Sequence, residues 1–91
     1  MTAMRGVFRS YEYDRMVVLF SMMDDTVEIP CAVSTEAMDG LDKAGRTAPE
    51  QRAAQFERLR GRIEDCAVRK FRNSEFEGKP PGLILRSIDF R

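Results

Sequence analysis

The sequence predicts an α+β domain in which an antiparallel sheet of about four strands carries one short and one long helix on one face. Three observations support this prediction. Apolar and polar residues alternate over Val27–Ser34, as in a half-buried strand. Apolar residues then recur at spacings of three and four between Phe56 and Phe71, as in an amphipathic helix. A loop rich in proline and glycine precedes a last apolar segment, so the predicted order is βββααβ.

Length and composition predict a single domain over residues 1–91, because no stretch is long and flexible enough to link two domains. The 43% hydrophobic and 33% charged fractions are typical of a globular chain. The longest apolar run, residues 16–20, is far shorter than the roughly 20 residues that cross a bilayer. Residues 1–10 lack the apolar core of a secretory signal, so we expect a cytoplasmic protein.

Three strands are predicted in the N-terminal third. Residues 7–13 are rich in aromatic side chains, and residues 16–22 are apolar on both faces, which indicates a central strand. Residues 24–26 carry turn-forming side chains and predict a hairpin into Val27–Ser34. Because Pro30 has no N–H to donate, we expect this third strand to lie at an edge or to bulge at Pro30.

Ser34 is the predicted N-cap of a short helix that stops near Gly45. The long helix is predicted to begin at a capping box formed by Thr47 and Glu50. Gly61 lies inside that helix, and close packing against another backbone would explain it. The predicted core stripe consists of six residues: Phe56, Leu59, Ile63, Cys66, Ala67 and Phe71. Residues 73–82 form a predicted loop and residues 83–90 a closing strand.

Catalytic and metal chemistry find little support in the residue types present. The chain has no histidine, which excludes Ser/His and Cys/His nucleophile pairs and a Cys/His zinc site. Cys31 and Cys66 both lie on predicted core faces, as free buried thiols or, alternatively, as a regulatory disulfide. No set of Asp, Glu, Tyr or Lys stands out as catalytic. The sequence therefore predicts no cofactor and disfavours an enzyme.

Charge is distributed unevenly although its sum is zero. Residues 1–45 carry a net −4, whereas residues 46–72 carry a net +4. This split can be neutralised within the fold, across a subunit interface, or by nucleic acid. The candidate contacts to nucleic acid or a partner are the helix arginines Arg52, Arg58, Arg62 and Arg69. Acidic residues among them and a pI near 6.3 favour an ordinary solvated helix face instead.

A second candidate surface is the sheet face opposite the predicted helices. Val17, Leu19 and Met23 point to this face, together with Ala32 and Ile84. Because a monomer rarely exposes a large apolar patch, we expect self-association, in the simplest case a homodimer, or another protein partner. Coverage by the N-terminal arm or by loops is the alternative.

A set of residues along nearly the whole chain resembles a bacterial family of small proteins, domain of unknown function 1488. The set comprises Ser10, Tyr11, Glu12, Arg15, Val18, Phe20, Ile29, Val33, Ala37, Phe56, Arg60, Ile63, Ala67, Lys70, Phe71, Ile88, Asp89 and Phe90. The resemblance implies a compact α/β fold in the bacterial cytoplasm. It implies no established activity, cofactor or catalytic residue.

Overall fold

A four-stranded sheet with two α-helices on one face forms the fold, in the predicted order βββααβ. The computed structural model describes residues 5–43, 47–78 and 82–91. The strands are β1 (Arg5–Glu12), β2 (Val17–Asp24), β3 (Val27–Ser34) and β4 (Leu83–Leu85), and the helices are α1 (Thr35–Asp42) and α2 (Arg52–Arg72). Two 3-10 turns complete the fold: Pro49–Gln51 before α2, and Ser87–Phe90, the C-terminal turn. Among the described helices, none is long and apolar enough to cross a membrane.

The sheet order is β1-β2-β3-β4, so the prediction of a central β2 is confirmed. β2 pairs antiparallel with both β1 and β3. β4 is the exception to the predicted antiparallel sheet, because it pairs parallel with β3. Both helices lie between β3 and β4 in the chain, and such a crossover allows the returning strand to run in the same direction.

The prediction that β3 lies at an edge or bulges at Pro30 is wrong, because β3 lies between β2 and β4 in unbroken register with β2. The sheet tolerates Pro30 because β4 pairs only with residues 31–33, which leaves the preceding half of β3 without a described strand on that side. The irregularity lies instead in β1, where the register shifts between Phe8 and Ser10.

The core lies between the sheet and α2, and the predicted stripe of α2 is confirmed. Val18, Phe20 and Met22 of β2 are buried on the helix side of the sheet. Phe56 is fully buried, and its ring centroid lies 5.3 Å from that of Phe20 and 5.8 Å from that of Phe8. Aromatic pairs at these separations add to the free energy gained from burial.

The predicted start of α1 is confirmed, since the Ser34 hydroxyl oxygen accepts a hydrogen bond from the Ala37 N–H at 3.0 Å. α1 ends at Asp42, and Lys43 follows in the left-handed region with φ 54°. The predicted stop at Gly45 lies outside the described residues.

The predicted capping box of Thr47 and Glu50 is wrong. The Thr47 hydroxyl donates instead to the Asp39 carboxylate at 2.9 Å and accepts from Gln55 Nε2 at 3.3 Å, so it binds these side chains rather than a backbone N–H at the start of the helix. The side-chain oxygen of Gln51 accepts from the Ala48 N–H at 3.1 Å. The 3-10 turn at Pro49–Gln51 therefore leads into α2, which begins at Arg52.

The predicted closing strand over residues 83–90 is confirmed only as far as Leu85, because the chain then turns. The Asp89 carboxylate accepts hydrogen bonds from the Arg86 N–H at 2.8 Å and from Lys70 Nζ at 3.0 Å. These bonds close the C-terminal turn and favour it over continued pairing. Ile88, which alternation placed on a strand face, is exposed.

The prediction that close packing explains Gly61 is also wrong, because a Cβ built there meets nothing within 4 Å.

Gly61→Ala should therefore raise the free energy of unfolding by about 1 kcal/mol, through reduced entropy of the unfolded chain and higher helix propensity. Urea unfolding measures the change. Gly82→Ala is the opposite control, because its Cβ would lie 2.2 Å from the Pro30 carbonyl oxygen and should destabilise the fold. No gain for Gly61→Ala would contradict this account.

Candidate functional site

The sheet surface turned away from the helices, called here the open face, carries the residues predicted for self-association. Leu19 of β2 pairs with Ala32 of β3, which pairs with Ile84 of β4, so these three side chains form an apolar row across the sheet. Val17 and Met23 lie on the same face of β2, on either side of Leu19. The register also places on this face Arg5, Val7, Ser10 and Glu12 of β1, Ser21 of β2, and Glu28, Pro30 and Ser34 of β3, and the side chain of Arg9 reaches it as well.

The open face is separate from the core. Leu19 and Ile84 lie outside the core cluster, whose members in β2 are Val18, Phe20 and Met22, whereas Ala32 between them is buried, at 6% exposed. Four apolar side chains of this face are half-buried: Val17, Leu19, Met23 and Ile84. Their backbones pair with the neighbouring strands of the sheet. Within residues 5–43, 47–78 and 82–91, both helices pack on the other side of the sheet.

A three-residue polar network interrupts the open face. Arg9 Nε donates to the Ser21 hydroxyl at 3.1 Å, and that hydroxyl donates to the Glu28 carboxylate at 2.5 Å. Arg9 Nη2 also forms an ion pair with Glu28 at 3.0 Å. Ser21 is buried, whereas the side chains of Arg9 and Glu28 are 47% and 49% exposed. The Ser21 hydroxyl, and then the Arg9 charge, hold the pKa of Glu28 below its ordinary value.

Sequence reasoning missed this network because it depends on the irregularity in β1. The register shifts between Phe8 and Ser10, so Arg9 is the extra residue of a β-bulge that redirects its side chain toward Ser21. One signal was present: Ser21 is the single hydroxyl within the apolar residues 16–23. A buried hydroxyl needs a hydrogen-bond partner, which predicts a polar neighbour on an adjacent strand.

The arginines predicted to line the outer face of α2 do not share one environment. The prediction that Arg52 faces outward is wrong, because Arg52 is only 5% exposed. Its Nη1 donates to Asp39 at 2.8 Å and to the fully buried Gln55 at 2.6 Å. Its guanidinium carbon lies 5.5 Å above the ring of Tyr11, at the range of a cation–π contact. Arg52 therefore connects α1 to α2.

Helical periodicity was the signal that could have revealed the burial of Arg52. Arg52 precedes Phe56 by four residues, and Lys70 follows Ile63 by seven, so both continue the core stripe. Lys70 is buried as well and donates to the Ile84 carbonyl at 2.8 Å and to Asp89 at 3.0 Å. Residue type had placed Arg52 on the surface, whereas its position in the stripe places it inside.

The uneven charge distribution is partly neutralised within the fold. Arg52 pairs with Asp39 at 2.8 Å, and Arg58 pairs with Asp42 at 2.6 Å, so basic α2 faces acidic α1. The hydrogen bond from Arg58 lowers the pKa of Asp42 from its ordinary value. Each ion pair joins a residue of the acidic segment 1–45 to a residue of the basic segment 46–72. Part of the charge difference between the two segments therefore stabilises the packing of α1 against α2.

Arg58, Arg62 and Arg69 remain on one side of α2, within an arc of about 40° at 100° per residue. Arg58 forms an ion pair with Asp42, whereas Arg69 donates to the backbone carbonyl of Asp89. Two cavities line this side near the C-terminal end of α2. The larger, about 430 Å³, and the smaller, about 140 Å³, share Asp65 and Arg69 in their walls.

Both cysteines are free and buried, as predicted for two core thiols. Burial raises the pKa of Cys31 to about 11 and also raises the pKa of Cys66. A thiol must lose its proton to act as a nucleophile, so these environments disfavour reactivity at neutral pH. Among the residues that the structure describes, no group of three or more His, Cys, Asp or Glu is arranged to hold a metal ion.

Acid should destabilise the fold through Asp39 and Asp89. Burial alone would raise the pKa of each, but hydrogen bonds, chiefly from Arg52 to Asp39 and from the Arg86 N–H to Asp89, lower it below the ordinary 3.8. Above about pH 5 both states are ionised and the stabilisation is complete. As the pH falls through 3.8, these carboxyl groups bind protons first in the unfolded chain. The stabilisation from Asp39 and Asp89 is lost once the pH has fallen through their lower pKa values in the folded protein.

Urea unfolding between pH 7 and pH 3 should therefore show a constant free energy of unfolding at neutral pH and a decline below about pH 4. Asp89→Asn should reduce the steepness of that decline. Asp14→Asn, at an exposed position in the turn between β1 and β2, is the control and should leave the steepness unchanged. Equal pH profiles for Asp89→Asn and the unaltered protein would contradict the assignment.

Comparison with known proteins agrees with this architecture. A family model described as "Protein of unknown function (DUF1488)" matches residues 6–82. The fold is similar to the crystal structure of a protein of unknown function from the DUF1488 family of Shewanella loihica PV-4. That match has a TM-score of 0.75 at 17% sequence identity and covers 94% of this chain and 96% of the other. At this identity the likeness shows the fold alone. No curated protein matches the chain.

Proposed function

The chain belongs to the DUF1488 family of proteins of unknown function, and on that premise we propose that it is a bacterial, non-enzymatic interaction domain that self-associates through the open face. The observation that carries the proposal is the apolar row of Leu19, Ala32 and Ile84, over which the described chain places no helix. The proposed setting is the bacterial cytoplasm.

The size of the open face sets the expected strength of association. β1, β2 and β3 have eight residues each at about 3.4 Å, β4 has three, and neighbouring strands lie about 4.8 Å apart, so the whole open face has a projected area of roughly 300 Å². The polar network occupies part of this area, so the apolar part is smaller. Two copies would bury roughly 600 Å² or somewhat more, which is below the usual range of stable specific complexes and typical of weak ones. We therefore expect a weak dimer, with a dissociation constant in the micromolar range.

Charge complementarity favours a second copy as the occupant. The open face presents Arg9 and Glu28, which have opposite charges and are each about half exposed. In a twofold dimer the same patch meets itself, so each Arg9 can approach a Glu28 of the other copy. A partner surface that carried charge of only one sign would repel either Arg9 or Glu28. The apolar row and the polar network would both enter the interface, because Ser21 follows Leu19 on the same face of β2.

The proposal is tested by Leu19→Lys, which places a charge in the middle of the apolar row. We expect the unaltered protein to sediment as a monomer–dimer equilibrium at micromolar concentrations. Leu19→Lys should weaken dimerisation at least about tenfold, because an interface must desolvate the new ammonium group. Analytical ultracentrifugation over a concentration series measures the change.

Ile88→Lys is the matched control. Ile88 is exposed and belongs to the C-terminal turn, which contacts α1 on the helix side of the sheet, so the same change in chemistry should leave dimerisation intact. Circular dichroism confirms that both variants fold. A monomer at every concentration up to the millimolar range would overturn the proposal, as would equal effects of the two substitutions.

A second candidate is an accessory nucleic-acid-binding regulator, favoured by the position of Arg62 and Arg69 on one side of α2. The burial of Arg52 and the pairing of Arg58 with Asp42 leave fewer free charges than the sequence predicted. If this function is correct, mixed DNA and RNA should bind at low salt, and Arg62→Glu should weaken binding. Absence of binding at low salt would remove this candidate.

A further inference from the structure

A small cleft separates the C-terminal half of α2 from the C-terminal turn. Its volume is about 140 Å³, and its walls include Arg62, Asp65, Cys66, Arg69 and Asp89. We propose that this cleft binds an oxyanion of the phosphate class through the guanidinium groups of Arg62 and Arg69. This site is separate from the open face and independent of self-association.

Helix geometry directs both arginines to the same cleft. Arg62 and Arg69 are seven residues apart, which is a rotation of about 20° and a rise of about 10.5 Å along α2. Their side chains therefore leave the helix in nearly the same direction, at the two ends of the cleft. The pair can approach a single anion from opposite sides.

The charge of these arginines is not cancelled by carboxylates. Arg69 donates to the backbone carbonyl of Asp89 and contacts Cys66 Sγ at 3.6 Å, and both of these partners are neutral. The Asp89 carboxylate is engaged by Lys70 at 3.0 Å. Arg62 forms no ion pair within 4 Å among the residues the structure describes. Arg91 also lines the cleft.

Asp65 is the one opposing charge that remains in the cleft wall, and it makes none of the ion pairs in the described part of the chain. Its carboxylate should reduce the affinity for an anion without preventing binding, because the arginines outnumber it. Removal of this charge in Asp65→Asn should therefore strengthen anion binding, whereas a mutation that merely damaged the fold would weaken it.

The size of the cleft and the chemistry of its walls select the ligand. A guanidinium group presents a planar fork of N–H donors that matches two oxygens of a phosphate. A water molecule occupies about 30 Å³ in the liquid, so the cleft has room for a few waters or for one small oxyanion. Inorganic phosphate is therefore the appropriate probe.

The test is an NMR titration of the full chain with inorganic phosphate, at constant ionic strength maintained with chloride. We expect saturable shifts of the Arg62 and Arg69 side-chain resonances and of backbone amides near Asp65 and Asp89, with a midpoint in the millimolar range. Arg62→Gln should weaken binding at least about fivefold, as expected when a charge-assisted bond is lost. Asp65→Asn should strengthen it by a factor of about three.

Arg58→Gln is the matched control, because it makes the same charge change on the same helix at a residue committed to Asp42. It should leave the phosphate midpoint unchanged. Shifts that rise linearly with phosphate, or equal losses for Arg58→Gln and Arg62→Gln, would overturn the proposal. A short oligonucleotide forms the second arm. Binding of the oligonucleotide alone, with no saturable response to phosphate, would assign the arginines to nucleic acid and also overturn it.

Discussion

Phe56→Ala is expected to lower the free energy of unfolding by about 3 to 5 kcal/mol. Phe56 is fully buried, and its ring packs between the sheet residues Phe8 and Phe20 at centroid distances of 5.8 and 5.3 Å. Alanine would remove this buried area and leave a cavity, since strands and helix can close the gap only in part. A domain of this size has a total stability of about 5 to 10 kcal/mol, so the variant should be close to unfolding.

Urea or thermal unfolding measures the effect of Phe56→Ala. Phe76→Ala is the matched control, because Phe76 is 42% exposed and its described ring contact is with Phe71 at 5.7 Å. The control should cost less than about 1 kcal/mol, as expected for a surface position. A loss below about 1 kcal/mol for Phe56→Ala would contradict the central position of this ring in the core.

Lys70→Met is expected to lower the free energy of unfolding by about 2 to 4 kcal/mol. The Lys70 side chain is 5% exposed, and its ammonium group donates to both the Ile84 carbonyl and the Asp89 carboxylate. Methionine fills a similar volume but leaves both acceptors without this donor. The loss should be below the full cost of an isolated buried charge, because the Arg86 N–H still donates to Asp89.

A double-mutant cycle tests the origin of this loss. Asp89→Asn introduced into Lys70→Met should recover part of the stability, because it removes the unpaired charge. Arg86→Met, which breaks the exposed ion pair between Arg86 and Glu77, is the control and should cost less than about 1 kcal/mol. Equal losses for Lys70→Met and Arg86→Met would show that burial does not set the strength of the Lys70 contacts.

The sequence predicted the elements whose pattern is local. The stripe from Phe56 to Phe71 appears in the structure, and so does the inward face of β3 from Ile29 to Val33, although Val27 at the start of β3 is exposed. The same periodicity placed Val17, Leu19 and Met23 on the face opposite the core. The open face, as a surface, was therefore predictable.

Other features depended on groups that are distant in the chain. The capping role of Thr47 was lost to Asp39 of α1, eight residues away. The last predicted strand ended early because Lys70 of α2, 19 residues before Asp89, binds the Asp89 carboxylate and thereby supports the local bond from the Arg86 N–H. In each case a local propensity of a few tenths of a kcal/mol to about 1 kcal/mol competed with a charged tertiary hydrogen bond of about 1.5 to 3 kcal/mol.

The sequence by itself determined the fold class, the order of elements, the core stripe and the apolar composition of the open face. Only the tertiary structure decided that β4 runs parallel to β3, that Arg52 is buried, and that Arg9 reaches Ser21 and Glu28. The reason is physical. Periodicity records which side of an element meets the core, whereas strand direction, bulges and long-range ion pairs arise from the relative placement of elements far apart in the chain.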